Sequence, residues 1–303
     1  MIVDHKFGNL STDLKLSLVE AYLHAFTTAL RPKFQELWYV DAFAGAGHRT
    51  IKHAAKEADF LGPAEEERIE QRRGSARIAL DVTPPFDRVV FIEKKRAHCK
   101  ALEQLRANYP AQRRVDIVRA DANDALLQEL SSRKSWAGAR GVMFLDPYGM
   151  AVAWSTLEMI QKTAAIDVWY LVSLSGLFRQ AAHNPTNLTP KKRAAINRML
   201  GTDEWESEWY GRDLRTDIFG EIDETYQRIA DVNAIEAFVL KRLRSLFPKV
   251  LPPRRLYSDR NVPQFALFLA ISNPEPKAIG LATRIGNHIL KAPPEASHHR
   301  SGR

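Results

Sequence analysis

The sequence predicts a doubly wound α/β fold with a helical insertion late in the chain. Three observations predict it. Short apolar runs alternate with stretches of helical period from Leu37 to Leu174, as strands and crossover helices of a mostly parallel sheet do. That rhythm breaks from Ala181 to Arg244. It resumes in Arg254–Tyr257 and Gln264–Ile271 around the turn Ser258–Asn261, an antiparallel pair that would close one sheet edge.

The first element is a helix from Thr12 to Leu30. Leu16, Val19, Leu23, Phe26 and Leu30 recur at three- and four-residue steps and form one apolar stripe. Ser11 or Thr12 would cap it, and Arg31–Pro32 ends it. Leu37–Val40 is the first strand, followed by Asp41 and the small-residue turn Ala44–Gly47, where glycine lets a ligand approach the backbone. His48 to Arg73 is polar and charged, and the helix that a simple βαβ unit would start at once waits until Gly74–Ser75. A lid over a site and a plain surface loop both remain open for this excursion.

Arg88–Glu93 is the second strand, with a helix over Arg96–Ala107 in which Cys99 is a packing residue. Val115–Arg119 is the third strand, and a helix follows Asp121–Asp124. Val142, Met143, Phe144 and Leu145 make the fourth strand a continuous apolar run, as in a strand buried on both faces. It stops at Asp146-Pro147-Tyr148-Gly149. A helix over Trp154–Thr163, a fifth strand over Asp167–Leu174 and a last helix over Pro276–Leu290 complete the set. The expected organisation is a core over 1–180, a helical insertion over 181–247, a closing hairpin and helix over 248–291, and a disordered tail over 292–303.

Hydrophobic residues make up 45% of the 303 and charged residues 26%, which suits an ordinary globular protein. No apolar run approaches the roughly 18 residues of a membrane span, and the N-terminus lacks a signal-peptide core, so the cytoplasm is the expected compartment. One cysteine excludes a disulfide framework and a cysteine-ligated metal cluster. No HExxH or other metal-ligand spacing occurs among the histidines, so no metal site is expected. The net charge of +8 is uneven. Lys241, Arg242, Arg244, Lys249, Arg254, Arg255 and Arg260 face one acid, Asp259, whereas 203–236 is strongly acidic. The 241–260 stretch is the expected face for a nucleic acid.

Four strands end in an acid or have one just beyond: Asp41, Glu93, Asp121 and Asp146. A nucleoside carrying an amino acid needs a small-residue loop, a carboxylate for its ribose hydroxyls and a polar group at the adenine edge. Glu93, beside the glycine loop, suits the ribose. Asp146 and Tyr148 offer an acceptor and a stacking plate to a flat, amine-bearing substrate. The nicotinamide fingerprint GxGxxG fails at Thr50, which disfavours an oxidoreductase. A Mg²⁺ nuclease is disfavoured by the glycine-loop setting of the acids.

This pattern resembles the Rossmann-like S-adenosylmethionine (SAM) methyltransferases, whose seven-stranded sheet is mostly parallel with its last strand antiparallel. The resemblance makes Asp41 to Gly47 the first SAM motif, Glu93 the ribose acid, Asp121 with Ala122 the adenine-edge motif and Asp146, Pro147 and Tyr148 the catalytic motif. It places Phe43, Ala44, Gly45, Gly47, Lys94 and Asp146 at the cofactor.

More narrowly, the chain is similar from end to end to the three-Cys-motif partner (TcmP) family. The matching stretches are Asp4–Gly8, Asp13–Leu16 with Tyr22–Leu23, YVDAFAGAG, Gly74–Ala76 with Ile78–Leu80, VVFIEKK, DPYG and Phe265–Ala270. That family implies a neighbouring three-cysteine-motif iron–sulfur protein as partner. Asp-Pro-Tyr-Gly looks closer to the Asp-Pro-Phe-Gly of tRNA guanine-N2 methyltransferases than to the double-proline amino-methyltransferase motif. The resemblance implies an enzyme that methylates an exocyclic base amine, RNA before DNA. A protein or small-molecule acceptor and a non-catalytic partner module are the alternatives, and nothing in the sequence addresses oligomeric state.

Overall fold

The computed structural model describes residues 8–53, 68–111, 113–133, 135–216, 222–258 and 260–291. Positions 4–7, the centre of the polar excursion (54–67) and the tail expected over 292–303 lie outside the described residues.

Helix α1 (Gly8–Leu30) leads into β1 (Glu36–Asp41), and a hairpin of β2 (His48–His53) and β3 (Arg68–Arg73) precedes α2 (Ser75–Asp81). Then β4 (Arg88–Ile92), α3 (Arg96–Arg106), β5 (Arg114–Val118), α4 (Ala122–Ser132), β6 (Ala139–Leu145), α5 (Trp154–Lys162) and β7 (Ile166–Ser173) alternate. Helices α6 (Leu174–Gln180), α7 (Pro190–Leu200) and α8 (Glu204–Trp209) run into the hairpin β8 (Tyr210–Thr216) and β9 (Ile222–Arg228), then α9 (Val232–Leu246). The chain closes with β10 (Lys249–Val250), β11 (Arg254–Tyr257), β12 (Pro263–Ile271) and α10 (Pro276–Lys291).

The main sheet runs β10-β12-β7-β6-β1-β4-β5, with β11 also paired to β12. Strands β1, β4, β5, β6 and β7 are parallel, and β12 is antiparallel to β7. The mostly parallel sheet with a reversed last strand is therefore what forms, and the short β10 adds an eighth strand to the expected seven. The chain winds outward from β1 in both directions, so the switch point lies between β1 and β6.

Side chains alternate between the faces with period 2. Leu37, Tyr39, Phe91, Phe144 and Trp169 pack beneath α1 and α2. Trp38, Val40, Met143, Leu145 and Tyr170 pack against α4 and α5 on the other face. Both faces are covered, which is why the strands read as unbroken apolar runs.

Four local expectations change. Helix α1 starts at Gly8, so Ser11 and Thr12 lie inside it rather than capping it. The 48–73 excursion is bounded by an antiparallel hairpin, His48 opposite Arg73. The segment expected to be helical contains the hairpin β8–β9. Its acidic, Trp-bearing composition masked the β-formers Tyr210, Thr216, Ile222, Thr225 and Tyr226. Nor is that segment's core separate: Ile196, Met199, Trp205, Trp209, Phe238 and Leu243 belong to the same apolar cluster as α4, α5 and the sheet.

The fourth change concerns the basic stretch, which does not form one face. Lys241 pairs with Glu208, and Arg255 pairs with Glu236. Arg242 and Arg254 donate to the carbonyls of Leu200 and Leu290. Lys249 lies beside Ile271 at the amino end of β7, whereas Arg260 follows β11 near its carboxyl end. Basic residues of one short stretch are thus sent to opposite ends of the sheet.

Candidate functional site

Parallel β1 and β6 lie side by side with Asp41 opposite Phe144, so the loops after both strands open on the same edge. A cleft of about 670 Å³ opens there, within the size range of small-molecule sites. It brings together the predicted Phe43, Ala44, Gly45 and Gly47 of one loop with Asp146, Pro147 and Tyr148 of the other. Ser75 of α2, Arg179 of α6 and Lys15 of α1 join them.

Gly45 and Gly47 have φ of +62° and +77°, the left-handed region that favours glycine. The space around Gly45 is open, whereas a Cβ on Gly47 would stand 2.7 Å from the Leu105 side chain. Gly74 N–H donates to the Gly47 carbonyl at 3.0 Å, and a Cβ on Gly74 would meet that backbone at 2.9 Å. Two glycines thus pin the base of the inserted hairpin, and α2 begins at once beyond it. The delayed helix of the sequence is an ordinary βα unit interrupted by a hairpin.

The four strand-end acids separate into different duties. Asp41 is fully buried and accepts from Phe43 N–H at 3.2 Å. Burial pushes its carboxyl up to about 7, against the pull of hydrogen bonds from Ser75 and Phe43. It braces the loop from below and does not line the cleft. Glu93 is 9% exposed and accepts from Gly45 N–H at 3.0 Å and Lys95 N–H at 2.7 Å. It ties the glycine loop to the end of β4 from outside the cleft lining.

Asp121 caps α4 through Asn123 N–H, with the Lys94 ammonium 3.7 Å away. Burial raises its carboxyl, but the hydrogen bonds from Asn123 together with the Lys94 and Arg198 charges hold it below the usual value. Lys94, Asp121 and Ala122 likewise lie outside the lining. Sequence reasoning missed Asn123, whose side-chain oxygen accepts from Ala153 N–H and Thr156 Oγ1 while its amide donates to the Ala151 carbonyl. That hub holds the segment following Tyr148.

Asp146 alone of the four lines the cleft. Its Oδ2 lies 2.5 Å from Lys15 Nζ, and the Lys15 side chain is 9% exposed. The sequence carried one signal of this. Lys15 falls in helical register with the buried Leu18, Val19 and Tyr22, and a lysine on a buried stripe needs an anion. Tyr148 is 80% exposed, with Lys95 Nζ 5.5 Å from its ring centroid. Arg198 donates to the Met150 carbonyl beside it.

No family model matches the chain, and no curated protein matches it. Among solved structures, human methyltransferase-like protein 13 in complex with SAH is 11% identical, with 92% of each chain covered and a TM-score of 0.44. LPL1258 from Legionella pneumophila is 13% identical, with 93% of each chain covered and a TM-score of 0.41. The glycopeptide N-methyltransferase MtfA complexed with sinefungin is 12% identical, covering 83% of this chain and 93% of that one, at a TM-score of 0.36. Likenesses this distant carry no argument about the site, and the fold stands on its own strand order.

Proposed function

We propose that this protein is a SAM-dependent methyltransferase acting on an exocyclic amine of a nucleic acid base, RNA before DNA. One observation carries the reading: a small-residue loop and an Asp-Pro-Tyr turn, from strands on either side of the switch point, line one cleft. Membership of the three-Cys-motif partner family, with its neighbouring iron–sulfur protein, belongs to the same proposal and rests on the sequence stretches quoted above.

The loop that lines the cleft suits the cofactor. Gly45 leaves open space at the loop, and the backbone from Phe43 to Gly47 would hold the amino-acid portion. Glu93, Asp121 and Ala122 stand outside the cleft lining, and Glu93 holds the loop through Gly45 N–H; their ribose and adenine-edge roles rest on the sequence resemblance. When bound, SAM supplies an electrophilic methyl group on a sulfonium.

The chain's own part is positioning. Asp146 accepts an N–H of the acceptor amine and so fixes the direction of its lone pair, and Tyr148 stacks on the base. Holding reactants in line accounts for most of the acceleration when the leaving group is already good. The base must be unstacked to enter, which costs least in single strands and loops. Lys95, Arg179 and Arg198 near the mouth replace the 241–260 stretch as phosphate contacts. The nuclease alternative loses ground because an ammonium already sits against Asp146.

The test is incubation with methyl-labelled SAM and separated pools of RNA, DNA and protein. Label in RNA is the expected result. Label confined to protein would replace the proposed acceptor.

A further inference from the structure

Among the described residues lining the cleft, Asp146 is the one acid, against Lys15 and Arg179 as cations, with His48 and His98 beside them. Lys15 commits its ammonium to Asp146 Oδ2 at 2.5 Å, and its Nζ lies 6.0 Å from the Phe144 ring centroid. Asp146 Oδ1 accepts no hydrogen bond from the described residues, and the side chain, 28% exposed, opens on the cleft. The acid therefore offers a hydrogen-bond acceptor whose negative charge is already matched.

Resting on the methyltransferase reading, we propose that Lys15 sets the charge of the acceptor, admitting a neutral ring amine and excluding an aliphatic ammonium. A neutral exocyclic amine needs only an acceptor for one N–H, which Oδ1 provides. An ammonium, the form of an aliphatic amine at neutral pH, would meet the charge of Lys15 and find no uncompensated carboxylate among the described lining residues. The buried ammonium of Lys15, 9% exposed, is less screened than a surface charge, which sharpens the discrimination. Lys15 is thus a positioning and specificity residue, and the cleft is matched to nucleobases rather than to protein lysines.

The experiment uses the full chain with SAH bound and follows the backbone amides of Tyr148 and Gly149 by NMR. Two kinds of probe are titrated: butylammonium, and the nucleosides adenosine, guanosine and cytidine. Wild type is expected to respond saturably to at least one nucleoside and not to butylammonium. Lys15→Met, similar in length but uncharged, is expected to gain a saturable butylammonium response. Its nucleoside affinity should fall about tenfold as Asp146 loses its orientation. Lys15→Arg is expected to restore the wild-type pattern, which a merely structural role would not require.

Butylammonium binding to wild type, or a Lys15→Met protein that still excludes it, would overturn the inference while leaving the methyltransferase reading intact. A wild type that responds to no nucleoside also overturns it. If calorimetry then shows no SAM binding either, the underlying reading falls with it.

Discussion

Replacing Tyr148 by alanine separates recognition from folding more cleanly than any other change at the cleft. The ring is 80% exposed, so its removal opens no cavity. Its contact with Lys95, 5.5 Å from centroid to Nζ, is worth no more than about 1 kcal/mol at an exposed site. Stability should stay within about 0.5 kcal/mol of wild type. Stacking of a base on an aromatic ring contributes about 1–3 kcal/mol, which corresponds to roughly 5- to 150-fold in affinity. Fluorescence anisotropy with a short single-stranded RNA should therefore show weakening in that range, with SAM affinity unchanged and Tyr148→Phe close to wild type. Unchanged RNA affinity in Tyr148→Ala would refute the assignment of this ring as the base platform.

Asp167 provides a test of the buried electrostatics. It accepts from Tyr22 Oη at 2.7 Å, and burial raises its carboxyl to about 7 despite the opposing pull of Tyr22 and Arg140. The fold thus favours the protonated acid, and the stability it supports is full below about pH 4 and lost as pH rises through 7. The loss is on the order of 4 kcal/mol. Urea unfolding across that window should show a smaller decline for Asp167→Asn, with the remainder due to Asp41, which titrates alike; equal slopes would contradict this. Gly74→Ala should destabilise by about 1–3 kcal/mol, measured by the same unfolding, because the added carbon meets fixed backbone. For RNA binding, Arg179→Ala should lower the salt slope by about one. Lys249→Ala, at the far end of β7, should leave it unchanged.

The sheet was readable because its strands are buried on both faces and announce themselves as apolar runs, Val142 to Leu145 above all. The two inserted hairpins were not. Neither strand pair carries such a run, and β8–β9 was hidden behind an acidic composition that suits helices equally well. At the site, the stretches DPYG and AFAGAG are the two that line one cleft. What one-dimensional reading could not supply was direction. Four strand-end acids look equivalent in sequence, yet Asp41 turns inward to brace a loop, Glu93 and Asp121 bind backbone N–H groups, and only Asp146 lines the cleft. Lys15 was missed for a related reason. Its meaning depends on a partner 131 positions away, and its helix otherwise reads as packing.

The central claim is that the crevice beyond β1 and β6 receives an adenosyl sulfonium. Isothermal calorimetry with SAM tests it most directly, comparing the wild-type chain with Ala46→Trp, a bulky replacement at a half-buried position of the loop lining. One saturable site per wild-type chain, lost in a variant that still unfolds cooperatively, is the predicted result. No heat of binding to wild type, or equal binding by both proteins, would contradict the account.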